Sequence, residues 1–529
     1  MNEFYRMIAS VVTAFLLCFG TRAAVGAMQQ SGYKNASFFR WLKRKDNLFF
    51  NRLAVLSLCL ALAAAVTSLC FSFFGVTGGL LCAALPFFAL CFAFAWATGK
   101  YALKVPLKRT GRANRLFVFY LLLTVAIGYG ILFFLGWLRD INGSETYALI
   151  AYLPFAALPM LLPVILGLAN GILGIFENAR NRKFVKRAGQ VLDESKITRI
   201  GVVGSFGKTS VKNILKTLLL EKYSVVETPE SFNTPIGIAK TVFSSEFSEK
   251  EIFIAEMGAR RSGDIAELCR MVKPDYAIFT GVCEQHISTF GGIENIWTEK
   301  SEILKCGAKK VVCGEGLRTY IGNGGQGVVF AEEIKDLALQ ATETAFTLSV
   351  GGEDVAVKTP LLGEGAAENI ALCVKLCEEL GMTTEEISRG LGKLQPVPHR
   401  LQLIESGGAY ILDDGYNCNP RGARMAIEAL SRFGGGKCVV TPGIVECGVL
   451  EEKINKDLGE TIAKAGLDKV ILVGETLIGA VKEGYLNGGG DAEKLVLVKT
   501  LDSAKVVLGD WVQAGDAVLF LNDLPDVYW

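Results

Sequence analysis

Five long apolar runs in the first third of the chain constrain its fold more than any other feature. They cover about 7–27, 53–73, 75–97, 116–138 and 147–176. Each run reaches or nearly reaches the ~20 residues that a helix needs to span a bilayer. Runs so close together leave no polar face for water, which excludes a set of ordinary buried core helices. We therefore predict a membrane domain of about five transmembrane helices over residues 1–178.

The distribution of charge supports the same division. The 529 residues are 51% hydrophobic and 20% charged, with a mean hydropathy of +0.36 and a net charge of +2. Residues 1–178 contain 15 Lys and Arg against 5 Asp and Glu, so the remaining residues contain 40 against 48. A basic, apolar third followed by an acidic, ordinary remainder excludes a disordered chain and predicts a membrane domain joined to a soluble one. The soluble part has no basic stripe of the kind that indicates nucleic-acid binding.

The basic residues of the connections predict the orientation in the membrane. They are concentrated in 29–52, in 98–115 and after residue 177, whereas the alternate connections contain Arg139 as their only base. The positive-inside rule then places the N-terminus outside and everything after 177 in the cytoplasm. A cleaved signal peptide over 1–28 is the alternative, although cleavage would leave the basic connection 29–52 outside.

The fourteen cysteines lack the spacing of a disulfide or zinc framework. Five of them lie in the apolar runs, where cysteine behaves as a small hydrophobic residue, and the other nine include no Cys-x-x-Cys pair. Cys373 and Cys377 stand one helical turn apart, which favours packing over metal binding. The pattern predicts free thiols in a reducing compartment.

A glycine-rich loop between a predicted strand and a predicted helix is the first motif of the soluble part. The strand covers 198–203, the loop reads Gly-Ser-Phe-Gly-Lys-Thr-Ser, and the helix begins at Val211. Backbone N–H groups of such a loop receive phosphate oxygens, its lysine bridges the terminal phosphates, and its hydroxyl reaches Mg²⁺. The longer Gly-x-x-x-x-Gly-Lys spacing is absent because residue 202 is valine. The candidate phosphate-binding residues are Gly204, Ser205, Gly207, Lys208, Thr209 and Ser210.

Four further motifs contain residue types suited to nucleotide and metal chemistry. One of them, Ala-Glu-Met-Gly-Ala, places Glu256 at the end of an apolar strand, where a carboxylate beside a nucleotide usually holds a metal ion. The others are Ser-Phe-Asn-Thr-Pro-Ile-Gly around Asn233, Gln-His-Ile-Ser-Thr-Phe-Gly around His286 and Glu-Lys-Ser-Glu-Ile around Lys300.

In this order, the glycine loop and the four motifs resemble those of the Mur ligase family. Pro-His-Arg-Leu at 398–401, Asp-Asp-Gly-Tyr-Asn-Cys-Asn-Pro at 413–420 and Gly-Ile-Val-Glu-Cys-Gly at 443–448 extend the resemblance over about 195–529. Within the family, the motifs are most similar to those of the members that add D-alanyl-D-alanine to UDP-N-acetylmuramoyl-tripeptide.

The resemblance implies ATP-driven amide bond formation in peptidoglycan synthesis, with ATP and Mg²⁺ as cofactors. The γ-phosphate passes to the carboxylate of a muramoyl-peptide, and an amine such as D-alanyl-D-alanine then attacks the acyl phosphate. The implied location is the bacterial cytoplasmic membrane, with the catalytic domains in the cytoplasm.

The resemblance also implies a role for each matching residue. Lys208, Glu256, His286 and Lys300 are the implied catalytic residues, and Thr209, Glu256, His286 and Lys300 the implied metal ligands. Lys300 matches a lysine that the family carbamylates, which could help to hold a second Mg²⁺. Asn233 matches a nucleotide contact, while Arg400 and Asp414 match residues that close on ATP from the last domain.

The fold that follows is a multi-pass α-helical membrane domain joined to α/β domains. A basic linker at 179–195 leads to a doubly wound ATP-binding sheet at 196–394, with a small β insertion near 345–357. A hinge at 395–398 opens a C-terminal Rossmann-like domain at 395–529. The strands predicted for that domain are 409–413, 437–441, 469–473, 495–498 and 517–521.

Two departures from the family leave alternatives open. Gly365 and Ala366 stand where the family has a His-Asn pair that contacts the nucleotide base. The domain that grips the UDP-sugar in soluble members is replaced here by membrane helices, so the acceptor is either UDP-linked or lipid-linked. The alternative functions are a Mur-like ligase with a different acceptor and a non-catalytic ATP-binding scaffold for cell-wall enzymes.

Overall fold

The computed structural model divides the chain into two compact units, one that contains Met1–Arg180 and one formed by Asn181–Asp523. Each unit is described by itself. The structure describes residues 3–43, 49–63, 89–96, 106–142, 156–244, 247–284, 287–322, 325, 327–416 and 418–522.

The described part of the first unit is helical. Residues 89–96 form a short helical stretch. The longer helices are α1 (Glu3–Gly20), α2 (Arg22–Gln30), α3 (Asn35–Leu42), α4 (Phe49–Ala63), α5 (Gly111–Asn142) and α6 (Leu158–Glu194).

Two of the described helices are long and apolar enough to cross a bilayer, by length and composition alone. They are the Gly111–Phe134 part of α5 and the 37-residue α6. A third span results if α1 and α2, which are bent by 51° at Thr21, count as one. Much of the predicted runs 53–73 and 75–97 lies outside the described residues, so the five-helix membrane domain stays a prediction.

Polar contacts between helices accompany the apolar packing of the first unit. The buried Tyr120 hydroxyl on α5 lies 3.0 Å from the hydroxyl of Thr21, between α1 and α2. Glu177 on α6 is 4% exposed and accepts from Arg115 and Arg180, each at 2.7 Å. Because two guanidinium groups neutralise this buried carboxylate, α5 and α6 are tied together at their basic ends.

The segment 179–195, predicted as a basic linker, is helical over most of its length. It forms the end of α6, whose Ala188 and Leu192 are fully buried in the core of the second unit. Phe184 packs against Phe243 with ring centroids 5.0 Å apart. An apolar stripe at helical spacing therefore keeps this segment folded, while its basic side chains face outward.

A six-stranded parallel sheet forms the centre of the second unit, in the order β2-β3-β1-β4-β5-β6. Apolar residues cover both of its faces, as all-parallel sheets require. The strands are β1 (Thr198–Val203), β2 (Val225–Glu227), β3 (Ile252–Glu256), β4 (Tyr276–Phe279), β5 (Lys310–Cys313) and β6 (Val328–Phe330).

Helices pack on both faces of this sheet, as predicted for a doubly wound domain. One face carries α7 (Lys208–Leu219), α13 (Glu364–Glu379) and α14 (Thr384–Leu391). The other carries α8 (Pro235–Val242), α9 (Asp264–Val272), α10 (Ile287–Phe290) and α11 (Ile293–Lys300), while α12 (Arg318–Ile321) follows β5. The predicted β insertion is a three-stranded antiparallel sheet of β7 (Lys335–Leu339), β8 (Thr344–Val350) and β9 (Glu353–Thr359).

The last part of the chain forms a second six-stranded sheet, in the order β10-β11-β15-β12-β13-β14. Its five predicted strands are present, and β10 (Gln402–Ser406) is an additional antiparallel edge strand. The others are β11 (Ala409–Asp414), β12 (Lys437–Thr441), β13 (Lys469–Val473), β14 (Leu495–Val498) and β15 (Ala517–Leu521). Its helices are α15 (Pro420–Ser431), α16 (Glu451–Lys464), α17 (Ile478–Asn487) and α18 (Leu501–Trp511).

Helices α16 and α17 approach so closely that glycine is required between them. A Cβ on Gly484 would clash with the carbonyl of Lys456, and one on Gly459 would clash with the carbonyl of Val481. We expect Gly484→Ala to lower the free energy of unfolding by about 1–3 kcal/mol, because the helices must separate. Chemical denaturation followed by circular dichroism measures this change.

The matched control lies on the same helix. Gly479 has no atom within 4 Å of a Cβ added to it, so Gly479→Ala should be neutral or stabilise by up to ~1 kcal/mol. Equal effects of the two substitutions would contradict this packing.

Candidate functional site

The glycine-rich loop is held by contacts that leave no room for larger residues. Gly204 has φ 155°, and a Cβ there would clash with the hydroxyl of Thr280. Gly207 has φ 72°, and a Cβ there would lie 2.6 Å from the side-chain oxygen of Asn369. The Ser205 N–H donates to the carbonyl of Gly281 at 2.9 Å. The loop between β1 and α7 therefore requires glycine at both positions.

Ser205 contributes a buried hydroxyl to this loop. Its oxygen has no hydrogen-bond partner in the described structure, although the residue is only 1% exposed. A buried hydroxyl without a partner is unfavourable, and a ligand oxygen in the adjoining cavity would satisfy it.

Two lysine ammonium groups converge on one carbonyl of the loop. Lys208 and Lys300 donate to the carbonyl of Gly204 at 2.7 and 3.0 Å. Burial, followed by the charge of Lys208, lowers the pKa of Lys300 to about 7. Burial also lowers the pKa of Lys208. Because two cations share a single neutral acceptor, an anionic ligand between them would be favourable.

Glu256 ends β3 directly beside the loop, because Val202 of β1 pairs with it in the parallel register. Its buried carboxylate accepts from the Thr209 hydroxyl at 3.0 Å and from the Asn233 amide at 3.1 Å. The structure thus brings together three residues that the sequence predicted for nucleotide and metal binding.

Lys212 is a buried partner of Glu256 that sequence reasoning missed. Its ammonium lies 3.5 Å from the carboxylate and donates to the carbonyls of Thr228 and Glu230. The side chain is 1% exposed. The available signal was its position, since Val211, Lys212 and Leu215 all lie on the buried side of α7.

The predicted metal site lies only partly within the described residues. Among the described residues, no group of three or more His, Cys, Asp or Glu is arranged to hold a metal ion. His286, predicted as a ligand, lies outside them, as does Gln285. Of the predicted ligands within the described residues, Thr209 and Glu256 supply adjacent oxygens, which suits a Mg²⁺ ion that keeps waters and phosphate oxygens as its other ligands.

The C-terminal domain supplies the opposite wall of the site. Arg400 donates to the Thr209 hydroxyl at 3.4 Å, and its guanidinium lies 4.3 Å from the ring centroid of Tyr416. The Tyr416 hydroxyl is hydrogen-bonded to that of Ser231. Burial raises the pKa of Asp414 to about 6, against the opposing charge of Arg400. Both predicted residues of this domain therefore reach the site.

Several lining residues were not predicted, among them Arg421, Glu368, Phe206 and Met425. Arg421 on α15 contacts both carboxylate oxygens of Glu368 at 2.6 Å and lies 4.5 Å from the ring centroid of Phe206. The methyl end of Met425 occupies the space in which Gly365 would carry a side chain. Met425 therefore lies where the resemblance placed a His-Asn pair.

The lining groups enclose a cavity of about 640 Å³, within the range of small-molecule sites. Gly204 supports the wall through its carbonyl. The predicted residues that line the cavity are Ser205, Gly207, Lys208, Thr209, Ser210, Asn233, Glu256, Lys300, Arg400 and Asp414.

We expect Lys212→Met to lower the free energy of unfolding of the second unit by about 3–5 kcal/mol, because it leaves the buried Glu256 carboxylate without its cation. Thermal and chemical denaturation of the full chain measure the change. Lys216→Met on the same helix is the control, since its ion pair with Glu227 is partly exposed and contributes ~1 kcal/mol or less. If the two variants are equally stable, Lys212 does not have this role.

Comparison with known proteins supports the motif assignment. Residues 202–377 match the family Mur ligase middle domain. UDP-N-acetylmuramoyl-tripeptide--D-alanyl-D-alanine ligase of Bacillus subtilis is 31% identical over 306 residues, which cover 54% of this chain and 65% of that protein. The ligase of the same name in Treponema pallidum is 26% identical and is covered over 71% of its length. The chain thus spans just under two thirds of the Bacillus protein.

Solved structures agree with these sequence comparisons. A MurF ligase from Thermotoga maritima in complex with ADP has 29% identity and a TM-score of 0.58, covering 65% of this chain and 80% of that one. MurF from Acinetobacter baumannii, at 23% identity and a TM-score of 0.59, shows the fold alone. The resemblance predicted from the motifs is confirmed: residues 202–377 of this chain match the Mur ligase middle domain.

Proposed function

We propose that this protein is a membrane-anchored, ATP-dependent Mur-type ligase of peptidoglycan precursor synthesis. The observation that carries the proposal is the single cavity in which Lys208 and Lys300 face the Thr209–Glu256 pair. A glycine loop with its lysine, Lys208, next to an acidic oxygen ligand suits a nucleoside triphosphate with Mg²⁺. The similarity to the Thermotoga ligase, which binds ADP, supports the same ligand.

ATP would lie with its phosphates along the loop between β1 and α7. The unpartnered Ser205 hydroxyl and the N-terminal N–H groups of α7 provide donors for phosphate oxygens. Lys208 would exchange its bond with the Gly204 carbonyl for the terminal phosphates. Arg400 would approach the same charge from the C-terminal domain.

Thr209 and Glu256, with the predicted His286, would hold Mg²⁺. When bound, the ion neutralises charge on the phosphates during transfer. Asn233 fixes the Glu256 carboxylate from the side away from Thr209, since the two donors contact different oxygens. These bonds orient the carboxylate before any ligand arrives.

The reaction would proceed in two steps. The acceptor carboxylate attacks the γ-phosphorus of ATP, forms an acyl phosphate and releases ADP. The amine, such as D-alanyl-D-alanine, then attacks the acyl carbon, forms the amide and releases inorganic phosphate. Docking of the C-terminal domain would exclude water, which otherwise hydrolyses the acyl phosphate.

Lys300 would act as a carbamate in this reaction. A lysine must be neutral to react with CO₂, and a pKa near 7 supplies a large neutral fraction at neutral pH. Its 2% exposure keeps competing reactants away, and its position beside Lys208 places the resulting anion next to a cation. The carbamate would help to hold a second Mg²⁺.

Membrane anchoring is the second part of the proposal. The Gly111–Phe134 segment and α6 have the length and apolar composition of spanning helices. The end of α6 presents exposed Arg182, Lys183, Lys186 and Arg187, which favour the cytoplasmic side. The acceptor would then be UDP-linked or lipid-linked, and a lipid-linked acceptor would lie in the same membrane as the ligase.

Purified protein tests the reaction directly. We expect it to couple D-alanyl-D-alanine to a muramoyl-tripeptide and to form one ADP per amide, measured by mass spectrometry and an ADP assay. Lys208→Ala should reduce the rate at least ~100-fold, because it removes the ammonium group that would stabilise negative charge on the transferred phosphate. Arg424→Ala, an exposed residue of α15, is the control.

Two acceptors separate the open alternatives. UDP-linked tripeptide in solution and lipid-linked tripeptide in nanodiscs are compared at equal concentration. Nucleotide binding without amide formation on either acceptor, across a panel of amines, would favour the scaffold and contradict the ligase.

Lys300 provides an independent prediction. Lys300→Ala should abolish ligation, and a small carboxylate such as formate should restore part of it by replacing the carbamate. Wild-type activity should rise with bicarbonate, more strongly as the pH rises through about 7 and the amine loses its proton. Undiminished ligation by Lys300→Ala would show that no carbamate takes part.

A further inference from the structure

Arg421 stands where a helix does not favour a cation. It is the second residue of α15, whose N-terminus carries the positive end of the helix dipole. The side chain is nevertheless ordered by two partners outside its own domain. Contacts with these two partners, and not the helix dipole, therefore determine the position of the Arg421 guanidinium.

The first partner is Glu368 on α13 of the central domain. One terminal nitrogen of the Arg421 guanidinium contacts both carboxylate oxygens of Glu368 at 2.6 Å. The two side chains are 38% and 37% exposed, so solvent screens the pair only in part. The contact connects the C-terminal domain to the helix that also carries Asn369, the neighbour of Gly207.

The second partner is Phe206 at the tip of the phosphate loop. The Arg421 guanidinium lies 4.5 Å from the centre of its ring, in cation–π geometry. The tip of that ring fills the space beside Gly281, where a Cβ would clash. The carbonyl of Phe206 accepts from the Thr280 hydroxyl at 2.6 Å. Phe206 is therefore held by Thr280 and Gly281 of its own domain and by Arg421 of the C-terminal domain.

We propose that Arg421 is a positioning residue that couples docking of the C-terminal domain to the shape of the phosphate loop. This inference rests on the proposed nucleotide-binding function. When the C-terminal domain is docked, Arg421 holds the Phe206 ring and so the loop N–H groups in their phosphate-binding arrangement. When it undocks, the ring loses this contact and the loop relaxes. By linkage, nucleotide in the loop favours docking to the same extent.

The test is ADP affinity of the full-length protein in detergent, measured by calorimetry. We expect Arg421→Gln and Phe206→Leu each to weaken ADP binding about tenfold, since each removes the stacked contact. Arg421→Lys keeps the charge without the flat guanidinium and should be intermediate. Glu368→Gln should weaken binding less than Arg421→Gln. Arg424→Gln, exposed on the same helix, should bind ADP like the wild type.

Thermal unfolding distinguishes the proposed role from a purely structural one, in which Arg421→Gln would lower the unfolding midpoint even without nucleotide. The unfolding midpoint without nucleotide should be the same in Arg421→Gln and wild type, while ADP should raise it less in the variant. The double variant Phe206→Leu/Arg421→Gln should bind no more weakly than either single variant, because both lose one shared contact.

Three outcomes separate the possibilities. Equal ADP affinity of wild type, Arg421→Gln and Phe206→Leu overturns the coupling and leaves nucleotide binding intact. Additive losses in the double variant also overturn it. Failure of the wild type to bind ADP would overturn the proposed function as well. If Arg421→Gln does not fold, Glu368→Gln and Phe206→Leu give the same comparison.

Discussion

The parallel pairing of β1 with β3 is the constraint on which the site depends. It sets Val202 opposite Glu256, so the loop that leaves β1 and the carboxylate that ends β3 emerge side by side at one edge of the sheet. Val202 also pairs with Ile278 of β4, which brings Thr280 and Gly281 against the loop from the other side. A shift of one residue in this register would turn Glu256 to the opposite face of the sheet and remove its carboxylate from the site.

Buried charge gives this edge its chemistry. Lys212 and Glu256 form a buried ion pair whose carboxylate also lines the cavity, whereas Lys208 and Lys300 share one carbonyl at its wall. Lys212 stabilises the carboxylate that would hold Mg²⁺, and a carbamate on Lys300 or a phosphate oxygen would supply the anion that Lys208 lacks. Residues 179–529 have an excess of acidic residues, so binding of the proposed anionic substrates must come from such local cations and not from a general field.

The sequence predicted the elements that local rules determine. The glycine loop, the strand ending at Glu256 and the alternating strands of both sheets follow from turn chemistry and apolar runs, and the structure contains them. It did not predict the contacts of Phe206, Glu368 and Arg421, which are far apart in the chain and meet only because two domains dock.

The helical segment after residue 179 shows a related limit of local reasoning. Its basic residues suggested a linker. Ala188 and Leu192 are nevertheless buried in the apolar core of the second unit, which the sequence pattern of the segment did not reveal. Lys212 was overlooked for a comparable reason, since its partner Glu256 lies 44 positions further along the chain.

The proposed function depends on one step, in which a carboxylate bound in this cavity is activated by the γ-phosphate of ATP. The most direct measurement uses an acceptor whose carboxylate oxygens are labelled with ¹⁸O, with mass analysis of the phosphate released during amide formation. We expect inorganic phosphate carrying one labelled oxygen, since the acyl carbon–oxygen bond breaks when the amine attacks. Unlabelled phosphate formed together with the amide would contradict it.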